Sequence, residues 1–297
     1  MNKIISYAPA KINLYLDITA KRHDGYHDIS TVMTSVDLRD RISVERSHVT
    51  EVLCDRAVTE DPHDNIAYRA ARLFSEYYGE DCPVKICIEK KIPAAAGLAG
   101  GSTDAAAVLR SMNALFGTGF SEKKLCEIGR RLGADVPYCI TGGTALAEGI
   151  GEILTPFPAM PDCTVLIAAD GEGVSTDEAY TEADRLGPRT GGHDTEKLKK
   201  ALEDGDLALL SSACYNIFER AIIPLRPRVS ALKELFIESG ALFTQMSGSG
   251  PSVFAIYDDE ETALQAYNAL GTKCREIYLT HPIKARRDSR NATAPLT

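Results

Sequence analysis

Twelve consecutive residues, ten of them small or hydroxyl-bearing, open a helical stretch: Pro93, Ala94, Ala95, Ala96, Gly97, Leu98, Ala99, Gly100, Gly101, Ser102, Thr103 and Asp104. Small side chains let backbone N–H groups approach an anion closely, and the unpaired amides and dipole of a helix start favour negative charge there. Phosphate is the natural guest; the competing reading is a flexible turn into a helix. No Gly-Lys-Ser/Thr follows the glycines, so this is not the phosphate loop of the nucleoside triphosphatases, and neither a GxGxxG fingerprint nor the protein-kinase signatures occur. A second loop, Met246-Ser247-Gly248-Ser249-Gly250-Pro251-Ser252, precedes a strand near the C-terminus. Alone it reads as a tight turn. Two such loops in one chain make a joint phosphate cradle.

Proton transfer and charge stabilisation need a carboxylate and a cation. Asp135, within Gly133-Ala134-Asp135-Val136-Pro137, is a carboxylate able to accept a hydroxyl proton, and Lys11 is a cation. An ammonium beside a carboxylate also keeps it ionised. On pattern alone the simpler readings are a cap for the next turn and a solvated strand lysine. Asn13 shares the face of Lys11. Tyr26 and His27 follow Gly25, so a turn there offers an aromatic face and a ring nitrogen to a ligand, or simply decorates the surface. Lys90 and Lys91 end a strand within reach of a bound nucleotide, where such pairs are commonly solvated. The remaining histidines show no metal-ligand spacing, and no metal ligand is assigned.

These residues need elements to hold them. Ile12, Leu14, Leu16 and Ile18 alternate with Lys11, Asn13, Tyr15 and Asp17, which predicts a strand with Lys11 and Asn13 pointing the same way. A polar turn at 21–27, pivoting on Gly25, leads to strand-like pieces at 30–36 and 41–45. Apolar spacing predicts a helix over 64–78, and alternation a strand over 84–88. A helix over 104–116 follows the glycine loop, with Ser102 or Thr103 as N-cap and Gly117 beyond its end. Another spans 121–132, capped by Ser121 and stopped by Gly133, two residues before Asp135. Pro156, Pro158 and Pro161 interrupt all periodicity, so the domain boundary falls there: residues 1–157 and 158–297. In the second half, strands are expected at 164–169 and 252–257 and helices at 195–210, 230–238 and 260–270, with a polar, frayed tail from about residue 286.

Composition limits what such a chain does. At 297 residues it suits two mid-sized domains, and 44% hydrophobic with 25% charged residues describes a compact body. A formal charge of −9 opposes general affinity for nucleic acid or anionic membrane, so an anionic ligand must be held locally. The eight cysteines are scattered without a CxxC, as reduced small hydrophobes are. No leader-like start or long apolar run is present, so the expectation is a cytoplasmic protein that does not span a membrane.

The two glycine loops, together with Pro9-Ala10-Lys11-Ile12-Asn13-Leu14, resemble the three motifs of the GHMP small-molecule kinases. Asp24-Gly25-Tyr26-His27, Gly133-Ala134-Asp135-Val136-Pro137 and Ala147-Glu148-Gly149-Ile150-Gly151-Glu152 are similar to one branch of them, the 4-diphosphocytidyl-2-C-methyl-D-erythritol kinase family of the non-mevalonate isoprenoid route. The likeness runs from about Ser6 to Tyr257. It implies a two-domain α+β fold, with an N-terminal ribosomal-protein-S5-domain-2-like nucleotide domain and a C-terminal ferredoxin-like domain. It implies ATP under the long glycine loop, Lys90 included, with Mg²⁺ bridging phosphates, and a cytidine diphosphate substrate between the domains. Asp135 becomes the base for the 2-hydroxyl and Lys11 its ion-pair partner. Asn13, Gly248 and Ser249 contact the substrate, Tyr26 stacks on cytosine, His27 hydrogen-bonds it, and Tyr180 forms the second wall. The family commonly has a further glycine where this chain has Ala99; if the backbone there needs positive φ, alanine strains it by about 1 kcal/mol. The alternatives are a homoserine- or mevalonate-type relative, which would not carry the Asp-Gly-Tyr-His turn, and a ligand sensor without turnover, against which Lys11 and Asp135 argue.

Overall fold

The computed structural model describes residues 2–56, 58–170, 173–187 and 195–284, so the expected frayed tail lies outside the described residues. The first half runs β1 (Lys3–Lys21), β2 (His27–Arg46), β3 (Glu51–Cys54), α1 (Ile66–Tyr78), β4 (Val84–Glu89), α2 (Gly100–Phe116), α3 (Glu122–Arg130), α4 (Val136–Thr141), β5 (Thr144–Gly149) and β6 (Ile153–Pro156). The second runs β7 (Thr164–Ala169), α5 (Thr176–Leu186), α6 (Thr195–Asp204), α7 (Leu207–Ala213), β8 (Tyr215–Asn216), α8 (Glu219–Ile222), α9 (Pro227–Glu238), β9 (Phe243–Met246), β10 (Val253–Tyr257), α10 (Glu260–Leu270) and β11 (Glu276–Thr280).

The two strand-like pieces of the sequence are one strand, β2, which pairs with β1 along its length. Its start also pairs with β5 and its end with β4. The resulting sheet has the order β3-β4-β2-β1-β8, with β5 and β6 attached to β2. α1 and α2 cover one face: Ala67, Ala70, Phe74, Ala105 and Leu109 pack on Ile42, Val44, Ile86 and Ile88. The second sheet is antiparallel in the order β11-β7-β10-β9. Counted within that sheet, the order is fourth, first, third, second, the arrangement of a ferredoxin-like unit. In β7, Val165, Ile167 and Ala169 face a core shared with Ile12, Leu14 and Val32 of the first sheet, while Leu166 and Ala168 face Leu232, Phe236 and Ala266 of α9 and α10. Both faces of β7 are buried, which is why its sequence is apolar without alternation. The whole is an α+β fold of two sheets in which the second half supplies β8 to the first sheet.

Several expected boundaries shift. α2 begins at Gly100, so Ser102 and Thr103 lie inside its first turn, and the N-cap is Ala99 with φ 57° and ψ 30°, without a side-chain cap. α3 is capped by Ser121 as expected but ends at Arg130. The single helix expected at 195–210 is two, because Gly205 turns left-handed at φ 68° and Asp206 caps the next helix through Leu209 N. β6 reaches Pro156, inside the stretch read as linker. All eight cysteines are free thiols. Among the described residues no helix is long and apolar enough to cross a membrane.

Candidate active site

β1 carries Lys11 and Asn13 into the interior, 5% and 3% exposed. They do share a face: Lys11 Nζ donates to Asn13 Oδ1 at 2.6 Å, and Asn13 Nδ2 donates to Thr31 Oγ1 at 2.9 Å. Lys11 is therefore not a solvated lysine. Nor does it form the expected ion pair, since its ammonium rests on the Asn13 amide and Asp135 reaches it only through space. The physical reason is the strand itself, which sets residues two apart on one side and brings the amide nearer than the carboxylate. Burial holds the Lys11 ammonium below the ordinary lysine value, with the charge of Asp135 opposing.

The two glycine loops meet over Lys11. Its backbone N–H donates to Leu98 O, fixing the long loop to β1. Ser247 Oγ donates to Gly97 O at 3.0 Å, and a Cβ on Gly97 would lie 2.0 Å from Ser247 O. A Cβ on Gly248 would stand 3.1 Å from Lys11 Nζ. Both positions need glycine for close approach and for positive φ, 74° and 56°. Ala99 and Ala95 also adopt positive φ, at 57° and 50°, so the condition for strain at Ala99 is met and Ala95 is a second such site that the sequence did not reveal. Asn216 on β8 donates from Nδ2 to Met246 O and Gly248 O, and Gln245 donates to Asn13 O. Neither residue carries a local sequence signal, because each works through a partner remote in the chain.

Lys90 is also buried rather than solvated. Its Nζ donates to Asp40 Oδ2 and Asp104 Oδ2, at 2.5 and 2.8 Å, and it lines the cleft below the loop. Asp135 stands at the N-cap position of α4 but makes no capping hydrogen bond, so the reading of it as a cap fails.

A cleft of about 580 Å³ is lined by Lys11, Asn13, Lys90, Asp135, Gly248, Ser249 and most of the stretch 93–104. Beside it a second, of about 690 Å³, is lined by Tyr26, His27 and Asp184. Ile29, Ser102, Asp135, Thr176 and Tyr180 line both. The hairpin turn between β1 and β2, with Gly25 at φ 90°, presents Tyr26 at 60% exposure, without a ring contact among the described residues. His27 is buried: its Nε2 meets Asp184 Oδ1 at 2.8 Å and its ring stacks on Tyr180, centroids 4.7 Å apart. Tyr180, on α5, also meets Phe218 edge-on, and burial with the nearby charge of Asp135 pushes its hydroxyl up to about 12. The structure thus stacks Tyr180 on His27, and both rings line the cleft that Tyr26 also lines. A buried cation, two glycine loops that meet, one of them opening a helix, and a half-buried carboxylate between two clefts suit phosphoryl transfer from a nucleotide to an alcohol.

Comparison with known proteins agrees. The GHMP kinases N terminal domain matches residues 65–143 and the GHMP kinases C terminal domain residues 198–276. A 4-diphosphocytidyl-2-C-methyl-D-erythritol kinase of Macrococcus caseolyticus is 41% identical over 93% of this chain and 98% of its own length. One of Caldicellulosiruptor saccharolyticus is 43% identical over 93% and 96%. A crystal structure of 4-(cytidine 5'-diphospho)-2C-methyl-D-erythritol kinase superposes with a TM-score of 0.79 at 32% identity, covering 94% of this chain and 99% of that one. A homoserine kinase from Cytophaga hutchinsonii shares the fold, with a TM-score of 0.75 at 20% identity over 97% and 96%. Identity of this level along nearly the whole chain, on a site built from the expected loops, means that the chain belongs to the 4-diphosphocytidyl-2-C-methyl-D-erythritol kinase family of the GHMP kinases.

Proposed function

We propose that this ATP-dependent small-molecule kinase phosphorylates the 2-hydroxyl of 4-diphosphocytidyl-2-C-methyl-D-erythritol, giving the 2-phosphate and ADP, in the cytoplasmic non-mevalonate route to isoprenoids. The observation that carries this reading is the position of Asp135, on the wall common to the glycine-loop cleft and the Tyr26–His27 cleft. ATP lies along 93–103 with its phosphates at the start of α2, and the cytidine diphosphate substrate fills the neighbouring cleft. The alcohol oxygen attacks the terminal phosphorus, the bond to the bridging oxygen breaks, and Asp135 takes the hydroxyl proton while ADP leaves. Lys11, held by Asn13, faces the charge that develops on the transferred group. Gly248 and Ser249 close the cradle from the second loop. Tyr26 supplies a stacking face for cytosine and His27 a hydrogen bond, with Tyr180 as the second wall once its ring leaves His27.

Mg²⁺ accompanies ATP and neutralises phosphate charge. Such an ion would be held largely by phosphate oxygens and water. The two units divide at residues 157 and 158 in this reading, supported by the prolines there and the change of sheet from β6 to β7. Incubation with ATP, Mg²⁺ and a panel of cytidylyl, homoserine and mevalonate acceptors tests the assignment. The cytidylyl acceptor is expected to be phosphorylated. Preference for another alcohol would move the chain to a different branch, and turnover of none would make it a sensor.

A further inference from the structure

Beneath the glycine loop three ionisable side chains meet away from solvent. Asp40 of β2, Lys90 just beyond β4 and Asp104 in the first turns of α2 are 0%, 7% and 4% exposed. Lys90 Nζ bridges Asp40 Oδ2 and Asp104 Oδ2. Asp40 Oδ1 accepts the backbone N–H groups of Lys91 and Ile92, so both its oxygens are used and it ties the entry of the loop to β2. Asp104 Oδ1 is different: it is buried and receives no hydrogen bond. Lys90 and Asp104 line the nucleotide cleft.

Two carboxylates against one ammonium leave an uncompensated negative charge under the helix start where polyphosphate is proposed to rest. A phosphate entering this low-dielectric site meets an anion already in place, and an ammonium claimed by two carboxylates has little field left to attract it. A proton on Asp104 removes the conflict. The cluster becomes neutral, the unpartnered oxygen is no longer a desolvated anion, and Asp40 alone keeps Lys90 in position.

We propose that Asp104 acts in nucleotide binding as a carboxylic acid, taking up one proton from solvent when nucleotide enters the cleft, with Asp40 as the residue that positions Lys90 beside it. This rests on the reading of the cleft as the ATP site. The electrostatics of the free protein lean the same way. Burial pushes the Asp104 carboxyl up to about 7 against the pull of Lys90, and Asp40 adds both its charge and a hydrogen bond in favour of the acid. Burial works against the Lys90 ammonium, and the two carboxylates outweigh it and raise its pKa. Cys54, at the end of β3, and Asp55, whose Oδ1 accepts the Lys90 backbone N–H at 2.9 Å, are further titratable groups in this field, and burial pushes the Cys54 thiol up. The sign follows: a carboxyl already raised by burial in the free protein, and more fully protonated in the complex, binds a proton with the ligand. Affinity then weakens as pH rises above about 7, by up to about tenfold per pH unit.

Calorimetric titration of the full chain with ADP, in two buffers of unlike ionisation enthalpy at about pH 8, counts the protons exchanged. Wild type is expected to take up roughly one half to one proton per ADP bound. Asp104→Asn keeps the shape without titrating, and is expected to take up none and to bind ADP with the weaker pH dependence of the nucleotide alone. The nucleotide's own ionisation is common to both proteins and cancels in the comparison. ADP binding by wild type without proton uptake, or equal uptake by the variant, overturns the inference. If Asp104→Asn does not fold, Asp104→Ala supplies the non-titrating comparison. Failure of ADP to bind at all would instead sink the reading of the cleft as a nucleotide site.

Discussion

Asp135 precedes a helix without capping it, and its place on the wall of two clefts is the residue-level basis for calling it a base. Asp135→Asn preserves shape but cannot take the hydroxyl proton, so kcat is expected to fall by about 10²–10⁴ while both ligands still bind. Single-turnover measurement at saturating ATP and acceptor, with calorimetry to verify binding, checks this; near-wild-type chemistry would end the assignment. Lys11 supplies a pH signature. Its ammonium is held below the ordinary lysine value by burial, the charged form exists below that lowered value, and it is lost as pH rises through it. The alkaline limb of kcat should therefore come earlier than an ordinary lysine gives, and a profile flat up to the ordinary range would show that the charge is not needed. The motifs made Lys11, Asp135 and the long loop legible in the sequence, and period-two alternation put Asn13 beside Lys11. The partners were not legible. Asp40, Asn216 and Gln245 act on residues 50, 30 and 232 positions away, and no local pattern encodes such a meeting.

At the scale of the elements, the glycine loop is shaped by two backbone demands that the sequence meets unequally. Gly97 meets them fully, because a side chain there would collide with the Ser247 carbonyl. Gly97→Ala is expected to push the two loops apart and weaken ADP binding by about tenfold or more, with far-ultraviolet circular dichroism unchanged. Retained affinity would mean that the loops do not have to touch. Ala99 meets the demand at a cost, since a left-handed alanine at a helix start is strained by about 1 kcal/mol. The strain is present in the protein without nucleotide, so relief belongs to stability rather than to affinity. Ala99→Gly is expected to raise the melting temperature by about 1–3 °C and leave nucleotide affinity nearly unchanged. A lower melting temperature would show that the added freedom of the unfolded chain outweighs the strain. The same residue explains why α2 starts earlier than its sequence suggests: hydroxyls at 102 and 103 look like caps, and alanine gives no sign that it will adopt a glycine conformation. The break between α6 and α7, which the single helix expected at 195–210 passes over, does have a local signal in Gly205-Asp206, a left-handed stop followed by a cap.

Across the whole molecule, the glycine-loop cleft of the first half is held by the second. The two-residue strand β8 lies parallel to β1, and its Asn216 is 2% exposed, donating to the carbonyls of Met246 and Gly248 while its Oδ1 accepts from Phe218 N. A strand this short leaves no periodicity to read, so the attachment of one half to the other became visible only in the fold. The core points the same way, with Ile12 and Leu14 packed in one cluster with Val165, Ile167 and Leu198. Asn216→Ala removes the side chain that ties β8 to the second glycine loop and strands two buried carbonyls, which is expected to lower stability by about 1–3 kcal/mol. Because the halves share a core, the loss should appear as one cooperative urea transition moved to lower denaturant with an unchanged slope. Turnover measured below that transition should fall as well, since the loop over Lys11 loses its anchor. Two separate transitions would mean that the halves unfold independently and that β8 is an ornament of the first sheet. A single shifted transition with full activity would mean that the loop is held by Ser247 on Gly97 alone.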